Sequence, residues 1–446
     1  MTKLDNPIRY PDAGSSEVMT KRGWWLVLLG FFIPGAPQVL AGSRKLGRFG
    51  LGATLTLWAG IVVAVITYLV WPQAIYALFT QRIAITVVQV FLLFYAVLWL
   101  VLTLNTLRLV RIVKVKPRSR AFVAGTAVLA LLLTSGSTAY AAYLLNVQRG
   151  LLGIFTQAER AEPIDGRYNI LLLGADAGED REGVRPDSIT IVSVDAETGQ
   201  AVMVGVPRDV RNIPIPEASP LMQVFTDGLD EGKVNGLYSS GMLNAGIYPD
   251  AAASGSNAGI EATKDGLEGL TGITIQYYVM VDMAGFAHMI DALGGVTITV
   301  ESRVAMAGHG ATGNIQYIEP GVQKLDGGTA LWYARSRFDT TDWDRMVRQR
   351  NLQVAILEQF TPANVLSKYQ GIADAGSQII TTDIPESMLA YFVDLATKTK
   401  KLEPIRVDLG PDVIDQDNPD TAYLHEHLHS VLYPPVAEES EAPAGG

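Results

Sequence analysis

Residues 168–434 of this 446-residue chain predict a layered α/β/α domain with a central mixed sheet, and residues 23–145 predict an α-helical membrane anchor ahead of it. Three observations carry that expectation. Apolar residues crowd the first third of the chain. Charge divides at the same place, with 14 Lys and Arg against 3 Asp and Glu up to residue 145, and 21 against 42 beyond it. A basic, apolar front joined to an acidic, polar back is the pattern of an anchor followed by a separate domain. Behind residue 168, β-rich runs alternate with helical stretches, as in a sheet layered between helices.

In the anchor, residues 50–71, 83–104 and 121–145 are each long and apolar enough to span a bilayer. Residues 23–42 begin in the same way, with Trp24-Trp25-Leu26-Val27-Leu28-Leu29, but Pro34-Gly35-Ala36-Pro37 interrupts them. Prolines so placed break a helix, so this segment is expected to dip into the membrane as a hairpin without crossing. Basic residues orient the rest. They gather at Lys21 and Arg22, at Arg44, Lys45 and Arg48, and at Arg108, Arg111, Lys114, Lys116, Arg118 and Arg120, whereas residues 72–81 hold none. Residues 1–22 are then cytoplasmic, three crossings follow, and the connector 146–167 and the domain behind it are extracytoplasmic. The last basic loop fixes that side whether or not residues 23–42 cross. No short apolar run ends at a cleavage site before the later spans, so a cleaved signal peptide does not fit. Cysteine is absent, which excludes disulfides, a thiol nucleophile and thiolate metal sites.

In the domain, Asn169-Ile170-Leu171-Leu172-Leu173 is a nearly continuous apolar run, as in a strand buried on both faces. Residues 188–194, 201–206, 275–281 and 296–300 are β-rich. Helical patterns fall around residues 262–270, 283–293, 327–334 and 344–360. Pro and Gly thicken from Gly410, and residues 435–446 are expected to be a disordered tail.

Three clusters bear chemistry. Asp176 closes the first strand and Asp187 leads into the second through Arg185-Pro186-Asp187-Ser188. Strand ends of α/β sheets are where ligands sit, and two carboxylates there can share a divalent cation. Each can equally cap a turn. In Val206-Pro207-Arg208-Asp209 the proline stops a strand and presents Arg208, which taken alone reads as a surface ion pair. Arg335, Arg337, Arg345, Arg348 and Arg350 then place five arginines within sixteen residues of an acidic domain. On a helix beginning near Asp344, Arg345 and Gln349 share a face and Arg348 lies beside them. A planar guanidinium grips phosphate at two points, so this cluster suits a di- or polyphosphate. The plainer alternative is a solvated basic face. Arginines and paired acids without a Ser–His or Cys–His set point to metal-assisted phosphoryl transfer. The chain has no G-x-S-x-G, P-loop or G-x-G-x-x-G, so common hydrolase, kinase and dinucleotide-binding classes drop out. His425-Glu426-His427-Leu428-His429 matches H-E-x-x-H, but only Glu438, Glu439 and Glu441 follow as a third ligand, and it reads as a His-rich surface helix.

Taken in order, further motifs extend these clusters. Residues 171–176, Arg185-Pro186-Asp187, Val206-Pro207-Arg208-Asp209, Lys233-Val234-Asn235 and Leu270-Thr271-Gly272-Ile273 are followed by Tyr278-Val279-Met280-Val281-Asp282. Gly294-Gly295-Val296, Leu325-Asp326-Gly327, Tyr333-Ala334-Arg335-Ser336-Arg337, and Asp344-Arg345 with Arg348-Gln349 complete the series. In this order the motifs resemble the LytR–CpsA–Psr family of cell-wall glycopolymer transferases. The resemblance implies an enzyme that takes a glycan from a polyprenyl-pyrophosphate carrier and joins it to peptidoglycan through a phosphodiester. It implies Mg2+ at Asp176 and Asp187, and pyrophosphate contacts from Arg208, Arg335, Arg337, Arg345 and Gln349. Asp209 or a metal-bound carboxylate becomes the candidate proton acceptor, and Lys233, Asn235 and Arg348 candidate substrate contacts. An apolar lipid tunnel would be lined by Val279, Val281, Phe286, Met289 and Ile290, each of which also fits ordinary core packing. The expected partners are the lipid-linked glycan, peptidoglycan and the membrane, with no nucleic acid. Ala177-Gly178-Glu179-Asp180-Arg181, rich in acids, departs from the family pattern and bears on cation binding. Two other readings stay open: a non-enzymatic protein binding anionic wall polymers or lipid phosphates, and a phosphatase using water as acceptor. The first leaves Asp176 and Asp187 without a role, since carboxylates repel an anion unless a cation lies between.

Overall fold

The computed structural model describes residues 8–158, 160–176, 185–229, 232–308, 311–359, 371 and 380–434, without the side chains of Leu151, Asp176, Met283 and Ala284. The acid-rich turn 177–181 and the expected tail 435–446 lie outside the described residues. The chain forms two compact units, Met1–Gly150 and Leu151–Gly446.

The first unit is helical. Helix α1 (Ser16–Phe32) starts at Ser15, whose hydroxyl accepts from the Val18 N–H, as an N-cap should. Its apolar run stops at Ile33-Pro34-Gly35, and α2 (Ala36–Ala41) folds back. Gly35 has φ +98°, and a Cβ there would lie 2.3 Å from the Leu51 nitrogen, so glycine alone fits. Next come α3 (Arg44–Val70), α4 (Pro72–Thr80) and α5 (Arg82–Val110). Both ends of the α1–α2 pair meet the same end of α5. Arg22 Nη1 donates to the Leu109 carbonyl at 2.7 Å, and Gly42 packs against the Leu109 side chain. Between them, the fully buried Gln38 Nε2 donates to the Leu102 carbonyl at 2.8 Å and to Thr106 Oγ1 at 2.9 Å. Thr54 Oγ1 donates to the Pro34 carbonyl at 3.1 Å. Helices α6 (Pro117–Leu131) and α7 (Ser137–Leu151) run on through a π-bulge at Leu132–Gly136. Three helical stretches, Arg44–Val70, Arg82–Lys114 and Pro117–Ile154, are long and apolar enough to cross a membrane. They coincide with the three expected stretches, the first ending at Val70 rather than residue 71.

The second unit is built on a six-stranded mixed sheet. Its strands are β1 (Arg167–Asp176), β2 (Arg185–Asp195), β3 (Ala201–Val206), β4 (Tyr277–Asp282), β9 (Ile380–Thr382) and β10 (Ile405–Asp408), in the order β10-β3-β2-β1-β4-β9. β1 pairs antiparallel with β2 and parallel with β4, while β10 runs parallel to β3. Short strands β5 (Val296–Val300), β6 (Val304–Ala305), β7 (Tyr317–Ile318) and β8 (Gly321–Leu325) form two small ribbons. On one face of the sheet, Leu171, Leu173, Ile189, Ile191 and Val204 pack with α8 (Leu237–Leu243), α9 (Ala258–Thr271) and α14 (Thr421–Leu432). Over the other face lie α10 (Met283–Ala292), α11 (Gly327–Arg335), α12 (Asp342–Gln359) and α13 (Leu389–Thr399). Alternate side chains of one strand feed the two layers, because the side-chain period of a strand is two. The predicted α/β/α layering is therefore present. The connector is tied down at Thr156, whose N–H donates to the Ile384 carbonyl at 3.1 Å and whose carbonyl accepts from the Glu386 N–H at 2.9 Å.

Candidate functional site

The site is assembled at the ends of β1, β2 and β3, under the loop that joins α11 to α12. Gly174 of β1 stands opposite Ser188, and Ile189 of β2 stands opposite Val206 of β3. That register brings Asp187, just before Ser188, level with Arg208, just beyond the proline that stops β3. Arg208 and Asp187 form a short ion pair with side chains about 14–15% exposed. Arg208 Nε lies 3.6 Å from Asp209 Oδ2, and Lys233 Nζ donates to Asp209 Oδ1 at 2.5 Å. Asn235 contributes its backbone, whose N–H donates to the Arg208 carbonyl at 3.1 Å and fixes the turn.

The arginine cluster enters from α11 and α12. Thr341 and Asp344 cap the start of α12 reciprocally, the carboxylate accepting from the Thr341 N–H at 2.8 Å, which places the helix start two residues before the expected one. Arg345, only 3% exposed, donates to Asp342 Oδ2 at 2.9 Å, and Arg337 Nη1 lies 3.5 Å from Asp342 Oδ1. Asp342 thus holds two arginines, and no sequence signal singled it out except its place three residues before Arg345. Burial pulls the Arg345 guanidinium below its ordinary range, and Arg208 adds repulsion that Asp342 opposes. For Arg208, burial is outweighed by Asp187 and Asp209, which hold its proton more tightly. Arg208, Lys233, Arg337 and Arg345 face Asp187, Asp209 and Asp342, which leaves one positive charge in surplus among the described side chains. Such a surplus suits an anion, and its buried part is desolvated and unscreened.

Behind this network an apolar cavity of about 560 Å³ runs between the sheet and α10–α13. Val279, Val281, Phe286 and Met289 line it, together with Leu389, Phe392 and Leu395 of α13, which the sequence pattern did not reveal. Arg335, Gln349, Gly174 and Ser188 also border it, so its wall joins the charged strand ends. A separate open cleft of about 780 Å³ is bordered by Arg337, Phe338, Asp339, Asp342 and Asp344.

Two expected contacts are corrected. Ile290 does not line the cavity; it is fully buried among Val296, Ile298 and Tyr333. Arg348 faces no ligand space: it is 7% exposed, and its guanidinium donates to the Tyr333 carbonyl at 2.8 Å and to the Ser336 carbonyl. It closes the C-terminal end of α11, whose last carbonyls lack helical partners. Gln349 helps, donating to the Ala334 carbonyl at 3.1 Å, while still bordering the cavity. Asp176 has only its backbone described, opposite Arg185 and so beside Asp187's strand end. In α14, His425 Nε2 lies 3.1 Å from the Gly269 carbonyl, and His427 stacks on Tyr423.

The second unit is thus a mixed α/β sheet with an apolar cavity bordered by Arg335 and Gln349 and an ion-pair network of Arg208, Arg337 and Arg345 at its strand ends. The model of the LytR–CpsA–Psr family matches residues 155–427, and the chain belongs to that family. It is 29% identical over 219 residues to the polyisoprenyl-teichoic acid–peptidoglycan teichoic acid transferase TagU of Halalkalibacterium halodurans, covering 49% of this chain and 61% of TagU. It is 26% identical over 270 residues to the cell wall biosynthesis protein LcpA of Corynebacterium glutamicum, covering 52% of this chain and 48% of LcpA. The chain thus spans about three fifths of one relative and half of the other. The crystal structure of B. subtilis TagV aligns over 60% of this chain and 95% of its own, at 26% identity and a TM-score of 0.44.

Proposed function

We propose that this protein transfers a glycan from a polyprenyl-pyrophosphate carrier to a hydroxyl of peptidoglycan, forming a phosphodiester. The observation that carries this is that Arg335 and Gln349 border the apolar cavity, Gln349 standing one helical turn beyond Arg345 on α12. The lipid lies in the cavity and the pyrophosphate between Arg208, Arg335, Arg337 and Arg345. The glycan and its acceptor share the open cleft by Phe338. An acceptor oxygen attacks the glycan-side phosphorus, the bond from that phosphorus to the bridging oxygen breaks, and lipid monophosphate leaves. The guanidinium groups neutralise charge as that bond opens. Asp209, ionised and held by Lys233 and Arg208, is the candidate acceptor for the proton of the attacking hydroxyl. Burial raises its carboxyl, but Lys233 and Arg208 more than offset that and hold it below the usual range.

Asp187, which pairs with Arg208, and Asp176 on the adjoining strand end would supply the oxygen donors that a hard cation prefers, and a Mg2+ held there would neutralise pyrophosphate oxygens. The names of the two relatives, a teichoic acid transferase and a cell wall biosynthesis protein, support the same chemistry. The basic loops of the first unit support an extracytoplasmic second unit. The test is to incubate the purified protein with polyprenyl-pyrophosphate glycan and peptidoglycan while Mg2+ is titrated, and to follow the phosphate. Phosphate retained between glycan and wall is the expected product, whereas released inorganic or glycan phosphate would mean a phosphatase. Asp176→Asn and Asp187→Asn should abolish the Mg2+ dependence; full wild-type transfer in excess chelator would remove the cation from the reaction.

A further inference from the structure

The far rim of the apolar cavity carries a surface that the transfer chemistry leaves unused. Thr399 and Pro404 line the cavity, and so does Ala396, which is itself exposed, so the cavity opens where α13 ends. Around that opening stand Val393, Leu402 and Ile405, exposed by 42%, 38% and 41%. They are three of the nine large apolar side chains exposed among the described residues of the second unit, and they fall within thirteen residues. Single exposed apolar residues need no explanation, but a cluster at the mouth of a cavity marks an interaction site.

Charge narrows the partner. Residues 393–406 hold Lys398, Lys400, Lys401 and Arg406 against Asp394 and Glu403, in a unit where acids outnumber bases two to one. Lys398 bonds the Glu197 carbonyl at 3.2 Å and lies 3.8 Å from Asp394, and Lys400 bonds the Glu358 carbonyl at 2.5 Å. A basic margin around an apolar tip is complementary to lipid head groups over acyl chains. The lysine stems can lie along the apolar layer while their ammonium groups stay among phosphates.

We propose that this rim docks on an anionic bilayer surface, with Val393, Leu402 and Ile405 in the interface and Lys398, Lys400 and Lys401 on lipid phosphates. A lipid-carried substrate then passes from the bilayer into the cavity without exposing its chain to water. The proposal rests on the cavity taking a lipid, but its test is independent of transfer.

The chain contains no cysteine, so Leu402→Cys offers a single labelling site in the full-length protein. The variant carries a fluorophore and is reconstituted in nanodiscs containing phosphatidylglycerol and nitroxide-labelled lipid. Tyr423→Cys, on α14 across the sheet, is the reference. Strong quenching at position 402 and little at position 423 is expected, and replacing Lys398, Lys400 and Lys401 together by Gln should remove most of it. Equal quenching at the two positions, or quenching that survives the lysine replacements, overturns the proposal. Quenching at 402 in a protein that fails to transfer glycan would uphold the docking surface and count against the proposed reaction.

Discussion

At Asp342 a single carboxylate holds two arginines from different positions of the chain, Arg337 at 3.5 Å and Arg345 at 2.9 Å. Arg345 is almost fully buried, so without that partner its charge would stand beside Arg208 uncompensated. Asp342→Asn should therefore misplace both guanidinium groups and slow transfer roughly 100-fold, the scale of a displacement of about 1 Å at a reacting centre. Unchanged kcat and KM would show that Asp342 merely decorates the loop. The arginines themselves act through geometry. Replacement of Arg335, Arg337 or Arg345 by Lys keeps charge but loses the fork, and should cost about 2–4 kcal/mol of transition-state stabilisation in kcat/KM. Asp209 bears on pH. Its carboxyl sits below the ordinary value in the folded protein, so it contributes stability that is present above the unfolded pKa, about 3.9. That stability is lost as pH falls through the lower folded value. Asp209→Asn should lower the melting temperature at neutral pH and narrow the gap to wild type below about pH 4. A gap constant across that range would deny the linkage.

Elements, rather than single residues, shape the apolar cavity. Its walls come from β1, β2, β3 and β4 on one side and α10 to α13 on the other, and α13 is placed by the segment ahead of it. There Asp383, 7% exposed, pairs with Lys264 of α9 at 2.6 Å and accepts from the Tyr278 N–H at 2.7 Å. Lys264→Met strands a buried carboxylate and should destabilise the second unit by about 3–5 kcal/mol, whereas adding Asp383→Asn should restore much of that loss. Equal thermal shifts for the single and double variants would mean the pair is not coupled. Inside the cavity, Met289→Trp fills space that the carrier chain needs. Transfer from long polyprenyl carriers should fall steeply while a short-chain pyrophosphate analogue is used as before; equal loss with both donors would place Met289 outside the lipid path.

Across the whole molecule, the apolar helical unit and the acidic α/β unit differ in what they expose. In the first unit both ends of the α1–α2 pair meet Leu109 at the end of α5, which is the arrangement of a hairpin that returns to the side it left. Polar side chains at membrane depth need internal partners; Gln38 finds them for its Nε2 at Leu102 and Thr106, and Thr54 finds one at the Pro34 carbonyl. Cysteines introduced at Ser15 and Ser43 should both be shielded from an impermeant thiol reagent in intact cells, while one placed on α4 should react. Labelling at only one of the first two would mean a full crossing.

What the sequence determined by itself was whatever depends on local periodicity and composition. The three apolar helical stretches, the strands 201–206 and 296–300, and the helices expected around 262–270 and 327–334 follow from apolar spacing, and the last two appear as 258–271 and 327–335. The arginine cluster was visible because five like charges are rare in an acidic domain. Only the tertiary structure decided which of those arginines face a ligand. Arg345 and Arg348 lie three apart on one helix, yet Asp342 takes the first and the end of α11 takes the second. Likewise Met289 and Ile290 are adjacent and equally apolar, but one lines the cavity and the other fills the core. A helix turns about 100° per residue, so neighbours in sequence face different layers, and which layer is a cavity depends on elements such as α13 that lie a hundred residues away.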